Sequence, residues 1–479
     1  MKTPIDVLES VFGFSTFRDS QKDIIDSVLE GKNCLVLMPT GGGKSLCYQI
    51  PALLFEGLTL VISPLISLMK DQTDSLLKKN IDAVYINSSL STEERKLRYE
   101  NIRNGKYKII YVSPERFRKR QFLEAIQSRK VDLLALDEAH CMSQWGNDFR
   151  PDYSRIDFIR RTLGSPVTLA LTATATEEVQ KDIIEKTGIP PEDFLVFNEG
   201  ICRPNLHLGV SEVMDETEKF DLILEKLQKT EGSRIVYFNL IKSIEKFSEY
   251  LDRLKVQYSV YHGKLNPSKK RSIQNKFMNS DSNIILATNA FGMGIDKSNI
   301  RLVIHAEIPD SVESYYQEIG RSGRDGLHSE CHLFYSMDDL AVQIDFLQWK
   351  NPDAKFITST YSLLKSIGSN LSSYRYEDIQ EKLVHKNRGD HRLQSVFSLF
   401  DRIGITTGQI ESGNLRLIGD LSSELISESL IRKKMEIDKQ RLIQIMNYAK
   451  LSDCRRKFIH SYFSAGSVSC GNCDNCKSN

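Results

Sequence analysis

The sequence predicts an α/β protein with two doubly wound parallel-sheet domains, followed by a small winged-helix-like module and a helical, cysteine-rich subdomain. Two series of short apolar segments alternate with helical segments from residue 30 to about residue 335, a pattern typical of parallel sheets covered on both faces. The pattern stops near residue 345, and the last part of the chain reads as helical. A chain of 479 residues is also longer than one hydrophobic core usually serves.

The two series of apolar segments place the two large domains. The first series comprises Cys34–Met38, Thr59–Ser63, Lys108–Val112, Leu133–Leu136 and Thr168–Leu171. The second comprises Arg234–Phe238, Ser259–Tyr261, Asn283–Ala287, Leu302–His305 and His332–Tyr335. Arg203-Pro204-Asn205 interrupts the pattern, so we expect the break between Cys202 and Leu208. The predicted domains are therefore residues 1–205 and 206–345.

The region after residue 345 predicts two smaller modules. Helical segments at Ala354–Ile367, Tyr376–Leu383 and His391–Ile403 precede two alternating segments that suggest a hairpin, Ile405–Ile410 and Asn414–Ile418. This order is that of a winged helix over residues 346–420, with residues 390–403 as its recognition-type helix. A plain helical spacer is the alternative. A long amphipathic pattern from residue 422 to 448 then leads into a helical, cysteine-rich subdomain at residues 421–479.

Composition narrows the class of protein. The net charge of +1 neither indicates nor excludes a nucleic-acid partner, because the total hides how charge is distributed. No segment approaches the ~20 apolar residues of a membrane span, and the N-terminus lacks the apolar core of a signal peptide. We therefore expect a cytoplasmic protein with no membrane partner. In a reducing compartment the scattered cysteines are expected to be buried apolar residues: Cys34, Cys47, Cys141, Cys202 and Cys331.

A glycine-rich loop follows the first predicted strand and opens a helix at Leu46. Glycines let backbone N–H groups approach phosphates without obstruction, and a helix N-terminus adds partial positive charge. We assign Lys44 to the β- and γ-phosphates and Ser45 to Mg²⁺. Met38 departs from the strict pattern, which has glycine there, and a simple glycine-rich turn is the alternative. The predicted nucleotide-binding residues of the loop are Thr40, Gly41, Gly42, Gly43, Lys44 and Ser45.

An acidic pair, Asp137 and Glu138, follows the predicted strand Leu133–Leu136. An acid at the carboxyl end of a parallel strand beside a phosphate loop can hold Mg²⁺ through water. We assign that role to Asp137 and expect Glu138 to be the general base that activates the attacking water. The alternative is an acidic helix start, which helix N-termini favour for other reasons.

Two arginines three residues apart, Arg321 and Arg324, lie in a segment that opens with Gln317. Their guanidinium charge suits the oxygens of a transferring phosphoryl group, and we include Gln317 among the nucleotide-binding residues. If the segment belongs to the second domain, ATP lies between the domains and hydrolysis changes what holds them together. A basic surface turn is the alternative, and only the combination with Lys44 and Asp137 argues against it.

The order of these motifs resembles that of superfamily-two helicases, which have two RecA-like domains, and the details resemble the RecQ family. The resemblance covers residues 10–345 and implies 3′-to-5′ translocation on single-stranded DNA. Residues 14–21 resemble the segment that recognises adenine, which implies that role for Phe14, Arg18 and Gln21.

Residues 137–153 resemble the aromatic-rich loop with which RecQ proteins sense single-stranded DNA. Trp145, Phe149 and Arg150 match its pattern. Aromatic faces stack on bases for ~1–3 kcal/mol per base without reading sequence. Asn147 stands where RecQ proteins commonly have histidine. Because an amide cannot carry a proton, we expect coupling to differ at this position.

Further segments resemble family motifs. Thr172 and Thr174 lie in one whose hydroxyls link hydrolysis to DNA contact in the family. Residues 287–296 resemble a second-domain motif next to ATP and DNA. The segments at 63–72 and 113–116 match motifs that contact the DNA backbone.

Four thiols cluster near the C-terminus with short spacing: Cys454, Cys470, Cys473 and Cys476. Thiolates at this spacing can hold one tetrahedral Zn²⁺ in a closed, structural site. The alternatives are a redox pair, whose usual βαβ context is missing, and an iron–sulfur cluster. The surrounding residues resemble the RecQ zinc-binding subdomain. In the common RecQ plan a winged helix follows the zinc site, so we expect a short form that ends at the zinc-binding subdomain.

These observations predict an ATP-dependent DNA helicase that acts in DNA repair and recombination with ATP, Mg²⁺ and Zn²⁺. The expected partners are single-stranded and forked DNA, with single-strand-binding protein or recombination factors as candidates, and we expect a nucleoid-associated monomer. An RNA helicase is one alternative, against which the aromatic loop and the cysteine cluster argue. A nucleic-acid-binding scaffold without ATPase activity is the other, against which the intact phosphate-site residues argue.

Overall fold

A computed structural model gives the fold. It describes residues 2–64, 66–87, 90–143, 153, 155–292, 295, 297–383, 390–408, 410, 413–422, 427–466 and 469–477. The chain divides into two compact units. The first contains both parallel sheets and the C-terminal cysteine cluster, and the second contains residues 310–312 and 336–447.

The first sheet has seven parallel strands in the order β3-β4-β2-β5-β6-β1-β7. The strands are β1 Asn33–Leu37, β2 Leu58–Ile62, β3 Ala83–Ile86, β4 Ile109–Val112, β5 Val131–Leu136, β6 Val167–Thr172 and β7 Phe194–Asn198. The helices are α1 Pro4–Val7, α2 Gln21–Leu29, α3 Leu46–Leu54, α4 Ile66–Leu77, α5 Thr92–Arg103, α6 Arg120–Gln127, α7 Ile156–Thr162 and α8 Glu177–Thr187. The connections that leave β1 and β5 run toward opposite edges of the sheet. The loops that follow these two strands therefore open at the crevice where doubly wound sheets bind ligands.

The side chains of β1 are buried alternately on the two faces of this sheet, because successive side chains of a strand point in opposite directions. Leu35 and Leu37 pack in one apolar cluster with helices α5 to α8. Cys34 and Val36 pack in another with α1 to α4. The sheet is therefore covered on both faces, as its continuous apolar strands predict.

The second sheet has six parallel strands in the order β10-β11-β9-β12-β13-β8. The strands are β8 Leu206–Glu212, β9 Ser233–Tyr237, β10 Ser259–Tyr261, β11 Ile284–Ala287, β12 Ile300–His305 and β13 Ser329–Tyr335. The helices are α9 Glu216–Lys229, α10 Ile241–Arg253, α11 Pro267–Met278 and α12 Val312–Ile319. We call the two sheets with their helices the first and the second lobe.

The second compact unit is mainly helical. Its elements are α13 Met337–Lys350, α14 Ala354–Ile367, α15 Tyr376–Lys382, α16 Arg392–Arg402, the antiparallel pair β14 Thr406–Thr407 and β15 Arg416–Leu417, and most of α17 Glu428–Ala449. Its core joins side chains of α14, α15 and α16 to those beside the strand pair. The expected order of three helices and a hairpin is present, whereas the winged-helix interpretation stays a prediction.

Two short helices, α18 Arg455–Tyr462 and α19 Asp474–Lys477, complete the chain in the first unit. Among the described residues, no helix combines the length and the apolar character that crossing a bilayer requires.

Candidate functional site

The glycine-rich loop lies between β1 and α3, as the sequence predicts. Gly41 and Gly43 both have φ near +85°, a conformation that side chains with a Cβ rarely adopt. A Cβ on Gly42 would lie 2.6 Å from the Met38 side chain. Lys44 Nζ donates to the Met38 carbonyl at 3.2 Å. The loop therefore requires its glycines, and its lysine ammonium lies over its own backbone.

Residues predicted to recognise adenine surround this loop. Gln21 Nε2 donates to the Gly42 carbonyl at 3.0 Å, and an Arg18 guanidinium N–H donates to the Gly41 carbonyl at 3.2 Å. The Arg18 backbone N–H donates to Gln21 Oε1 at 2.9 Å, which fixes the Gln21 side chain against the segment that carries Arg18. Phe14 is 50% exposed, so its ring has a free face. The structure thus brings Arg18 and Gln21 to the phosphate loop and leaves Phe14 at the surface nearby in sequence.

The acidic pair follows β5. Asp137 is buried and accepts a hydrogen bond from Ser63 Oγ at 3.2 Å. Burial and the neighbouring Glu138 charge raise the pKa of Asp137 to about 7, which the Lys44 charge partly offsets. Glu138 Oε2 is also buried and makes no hydrogen bond among the described residues. A buried carboxylate and a partly buried one, with the Lys44 charge nearby, are a donor set that suits a divalent cation, so Asp137 fits Mg²⁺. Ser45 directly precedes α3, and its part in holding Mg²⁺ stays a prediction.

His140 connects the acidic pair to both lobes. Its Nδ1 lies 3.0 Å from Thr172 Oγ1 and 3.4 Å from Glu138 Oε2. Gln317 Nε2 lies 3.4 Å from His140 Nε2, an arrangement satisfied when the imidazole proton is on Nδ1. Thr172 Oγ1 in turn donates to the Thr174 carbonyl at 3.0 Å. The network therefore links Glu138 to Gln317 of the second lobe through one imidazole.

Thr172 and Thr174 are both buried, at 0% and 4% exposure. Both side chains are therefore shielded from solvent, and the Thr172 hydroxyl lies 3.0 Å from His140 Nδ1. Trp145, Phe149 and Arg150, together with Asn147, lie outside the described residues.

The two arginines differ in their surroundings. An Arg321 guanidinium N–H donates to the Gly292 carbonyl within the second lobe. The Arg324 side chain instead lies against the phosphate loop, where a Cβ on Gly41 would be 3.5 Å from Arg324 Cγ. Of the predicted pair, Arg324 is the one that the structure places beside the glycines.

The segment after α12, residues 320–324, meets the phosphate loop directly, and we call it the arginine loop. Thr40 Oγ1 donates to the Gly320 carbonyl at 2.9 Å. A Cβ on Gly320 would lie 2.5 Å from Thr40 Oγ1, so glycine is required for this approach. Glycine-rich loop, acids and arginine loop therefore converge on one region of the first unit.

The four clustered cysteines form a second site. Their Sγ atoms all lie within 4.8 Å of one another, and Cys470 Sγ and Cys476 Sγ are 4.0 Å apart. A tetrahedral zinc with Zn–S bonds of ~2.3 Å requires sulfur separations of about 3.8 Å. Cys454 caps the start of α18, and the Cys470 backbone N–H donates to its sulfur at 3.3 Å. The four thiols fit one structural zinc ion.

The zinc site is joined to the edge strand β8 of the second lobe. Asp474, next to a ligand, accepts from the Val210 backbone N–H at 2.9 Å and from Arg455 Nε at 2.5 Å. A guanidinium N–H of Arg456 donates to the Leu206 carbonyl at 2.7 Å. The zinc-binding segment therefore covers the free edge of β8 with hydrogen bonds.

Sequence reasoning did not assign roles to two residues of the site, His140 and Arg203. His140 belongs to the Asp-Glu-Ala-His segment, so its position beside the two acids was a usable signal. The sequence pattern marks Arg203 only as part of the break between domains. Its guanidinium donates to the Thr40 carbonyl at 3.0 Å, a contact that nothing local in the sequence indicates.

Three family profiles match the chain. They are DEAD/DEAH box helicase at residues 18–183, helicase conserved C-terminal domain at residues 218–326, and RecQ zinc-binding at residues 421–477. The three matches cover both lobes and the cysteine cluster.

Curated relatives extend this likeness. The ATP-dependent DNA helicase RecQ of Bacillus subtilis is 47% identical over 339 residues, 70% of this chain and 57% of the relative. That of Pasteurella multocida is 44% identical over 340 residues, 71% of this chain and 53% of the relative. The chain thus spans about half the length of these relatives. The probable ATP-dependent DNA helicase RecS of B. subtilis is 34% identical over 458 residues, 95% of this chain and 87% of the relative.

Solved structures share the fold. The Mycobacterium smegmatis helicase Lhr, bound to ssDNA and AMP-PNP, has a TM-score of 0.57 at 17% identity and covers 85% of this chain and 59% of its own. Dbp5 of S. cerevisiae, bound to RNA and ADP BeF3, has a TM-score of 0.56 at 16% identity, with coverage of 73% and 91%. These likenesses show two RecA-like lobes and no more. With the zinc-binding profile and a relative matched over most of its length, the chain belongs to the RecQ family of superfamily-two helicases.

Proposed function

We propose that this chain is an ATP-dependent DNA helicase that moves 3′-to-5′ on single-stranded DNA and unwinds duplex, in DNA repair and recombination. The observation that carries the proposal is the meeting of the phosphate loop with the arginine loop, where Thr40 Oγ1 donates to the Gly320 carbonyl. A nucleotide held there contacts both lobes, so hydrolysis changes the forces between them.

The geometry supports a role in the reaction for each of these side chains. Lys44 binds the β- and γ-phosphates, and Ser45 and Asp137 hold Mg²⁺, which neutralises phosphate charge when bound. Glu138 orients and deprotonates the attacking water, and its carboxylate lies 3.4 Å from His140 Nδ1, which holds it beside the site. Arg324 stabilises the charge that develops on the transferred phosphoryl group.

Arg321 has a different starting position. Its guanidinium donates to the Gly292 carbonyl, and its Nε makes no hydrogen bond among the described residues. We infer that Arg321 exchanges this carbonyl for a phosphate oxygen when nucleotide is bound. Nucleotide binding also changes the contact between Gln317 and His140, and through His140 it affects Glu138.

DNA is the proposed track because the curated relatives are named DNA helicases and because the chain has the RecQ zinc-binding segment. Opening one base-pair step costs ~1.4 kcal/mol of duplex free energy, so directed opening requires coupling to ATP hydrolysis. Trp145, Phe149 and Arg150 are the proposed sensors of the strand, and Thr172 and Thr174 connect them to the acids.

The finer features belong to the same proposal. We divide the chain into two RecA-like domains, 1–205 and 206–345, a winged-helix module at 346–420 and a zinc-binding subdomain at 421–479. Forked DNA is the proposed substrate, single-strand-binding protein or recombination factors are candidate partners, and the working form is a monomer in the cytoplasm on the nucleoid.

The deciding experiment compares ATP turnover without polynucleotide, with single-stranded DNA and with single-stranded RNA. We expect stimulation by DNA well above that by RNA, and unwinding of a duplex with a 3′ single-stranded tail in preference to a 5′ tail. Equal stimulation by RNA would favour the RNA-helicase alternative. Tight DNA binding without turnover in any condition would favour a scaffold.

A further inference from the structure

Arg203 lies in the segment between the last strand of the first lobe and the first strand of the second. Its guanidinium contacts backbone of both lobes at once. One Nη1 donates to the Thr40 carbonyl of the phosphate loop at 3.0 Å and to the Gly320 carbonyl of the arginine loop at 3.3 Å. Nη2 donates to the carbonyls of Ser322 and Gly323 at 2.7 and 2.8 Å. The connecting segment is thus bonded to both loops of the nucleotide site.

The carbonyls of the arginine loop that Arg203 binds require hydrogen-bond donors from outside the helix. The arginine loop follows the C-terminus of α12, where the last carbonyls of a helix have no partner in the helix and carry partial negative charge. Ser322 is fully buried, so water is not available to its side of the loop. A planar guanidinium can donate to several carbonyls simultaneously in a fixed geometry, which an ammonium cannot.

Asn205 extends the same arrangement. Its Nδ2 donates to the carbonyls of Gly323 and Leu327 at 2.8 and 2.9 Å. Gly323 has φ of +55°, and a Cβ there would lie 2.4 Å from Asn205 Nδ2. The turn that carries Arg324 is therefore held on one side by side chains of the connecting segment.

Burial lowers the pKa of the Arg203 guanidinium, but a guanidinium stays charged in proteins. Nε donates to Asn205 Oδ1 at 3.4 Å, and both Nη atoms donate to carbonyls of the two loops, so Arg203 itself has no group directed at a nucleotide. Its effect on the reaction must pass through the loops it binds.

We propose that Arg203 is a positioning residue that sets where Arg324 stands relative to the phosphate loop. This inference rests on the proposed function and deepens it, because it assigns a residue outside the recognised motifs to the alignment of the arginine loop. Loss of the guanidinium frees carbonyls of both loops while leaving every phosphate-contacting side chain in the chain. The arginine loop then keeps its residues but is no longer held in a fixed position relative to the phosphate loop.

The test measures kcat and KM for ATP in the full chain with Arg203→Gln and Arg203→Lys. We expect Arg203→Gln to lower kcat roughly 10- to 100-fold, since a misplacement of ~1 Å can cost about 100-fold. KM for ATP changes little, because the phosphate loop keeps its own lysine and glycines. Arg203→Lys restores part of kcat, because it keeps the charge and loses the fork.

Arg234→Gln is the matched control. Arg234, in β9 of the second lobe, is also a partly buried arginine. Its guanidinium donates to the carbonyls of Leu227 and Thr230 at 2.7 and 2.9 Å, which belong to neither loop. If the loss at Arg203 were one of general stability, Arg234→Gln would lower kcat as much for the same drop in melting temperature. That result would overturn the inference.

A double-mutant comparison separates positioning from an independent role. Arg203→Gln is combined with Arg324→Lys, which keeps a charge and residual turnover. If Arg203 acts through Arg324, its replacement lowers kcat much less in that background than in the wild-type chain. If the two fold-losses in kcat simply multiply in the double variant, the inference is overturned.

The same measurements distinguish this inference from the proposed function. A wild-type chain without ATP turnover would sink the proposed function, whereas normal turnover in both Arg203→Gln and wild type would sink only this inference.

Discussion

At the scale of one residue, the motif predicts that Glu138 is an acid after β5 but does not predict its backbone conformation. The sequence predicts an acid after β5, and the structure places one there. Its backbone is left-handed, with φ of +49°, which costs a residue with a Cβ about 1–2 kcal/mol. The short 3₁₀ turn Ala139–Met142 follows at once and is fully buried, so packing holds the conformation. No local pattern predicts this turn, although it sets the direction of the carboxylate.

Lys44 carries the first prediction at this scale. Its Nζ already lies over the loop, 3.2 Å from the Met38 carbonyl. We expect Lys44→Ala to lower kcat for ATP by at least about 100-fold, the loss typical of one preorganised donor, and to leave single-stranded DNA binding intact. Lys79→Ala is the control, because Lys79 Nζ also bonds a carbonyl, that of Val11, on the exposed surface. Unchanged turnover in a steady-state assay of Lys44→Ala would refute the phosphate-site assignment.

Among the elements, most strands are predictable and three are not. The predicted apolar segments all fall on strands, whereas β3, β7 and β8 carry no prediction. All three are edge strands of their sheets. Of these, β8 lacks a continuous apolar run, as an edge strand with a single neighbour can. β3 and β7 are short apolar runs, and a run of four or five residues cannot be told from a buried helix segment by periodicity alone.

The contact between the phosphate loop and the arginine loop supports a prediction for Gly320→Ala. The added Cβ would lie 2.5 Å from Thr40 Oγ1, so the two loops must separate by a few tenths of an ångström or more. We expect kcat for ATP to fall about tenfold, because the loops align the reacting groups. Stability changes little, since alanine suits a helix end. Gly263→Ala, where a Cβ would meet nothing within 4 Å, is the control in the same lobe. Equal kcat in the two variants would show that the approach is not needed.

Over the whole molecule, the contacts that matter most connect residues far apart in sequence. Arg203 and Thr40 are separated by 163 positions, and His140 and Gln317 by 177. Periodicity and motif spacing report on neighbours within tens of residues, so they identify the parts of the nucleotide site and leave its assembly open. The fold supplies the assembly, because parallel strands deliver their loops to one edge of each sheet.

The zinc site supports the last prediction, since Arg456 and Asp474, which lie close to its cysteines in sequence, form hydrogen bonds to β8 at Leu206 and Val210. Asp474 accepts from the Val210 backbone N–H, so an ordered cysteine loop covers β8. We expect Cys473→Ser to abolish zinc binding and to lower the free energy of unfolding by several kcal/mol, because structural zinc binding is folding energy. Cys202→Ser is the control, since Cys202 is exposed and outside the cluster. Elemental analysis and thermal unfolding give the two readouts. A Cys473→Ser chain with no metal and unchanged stability would show that β8 holds its place without zinc.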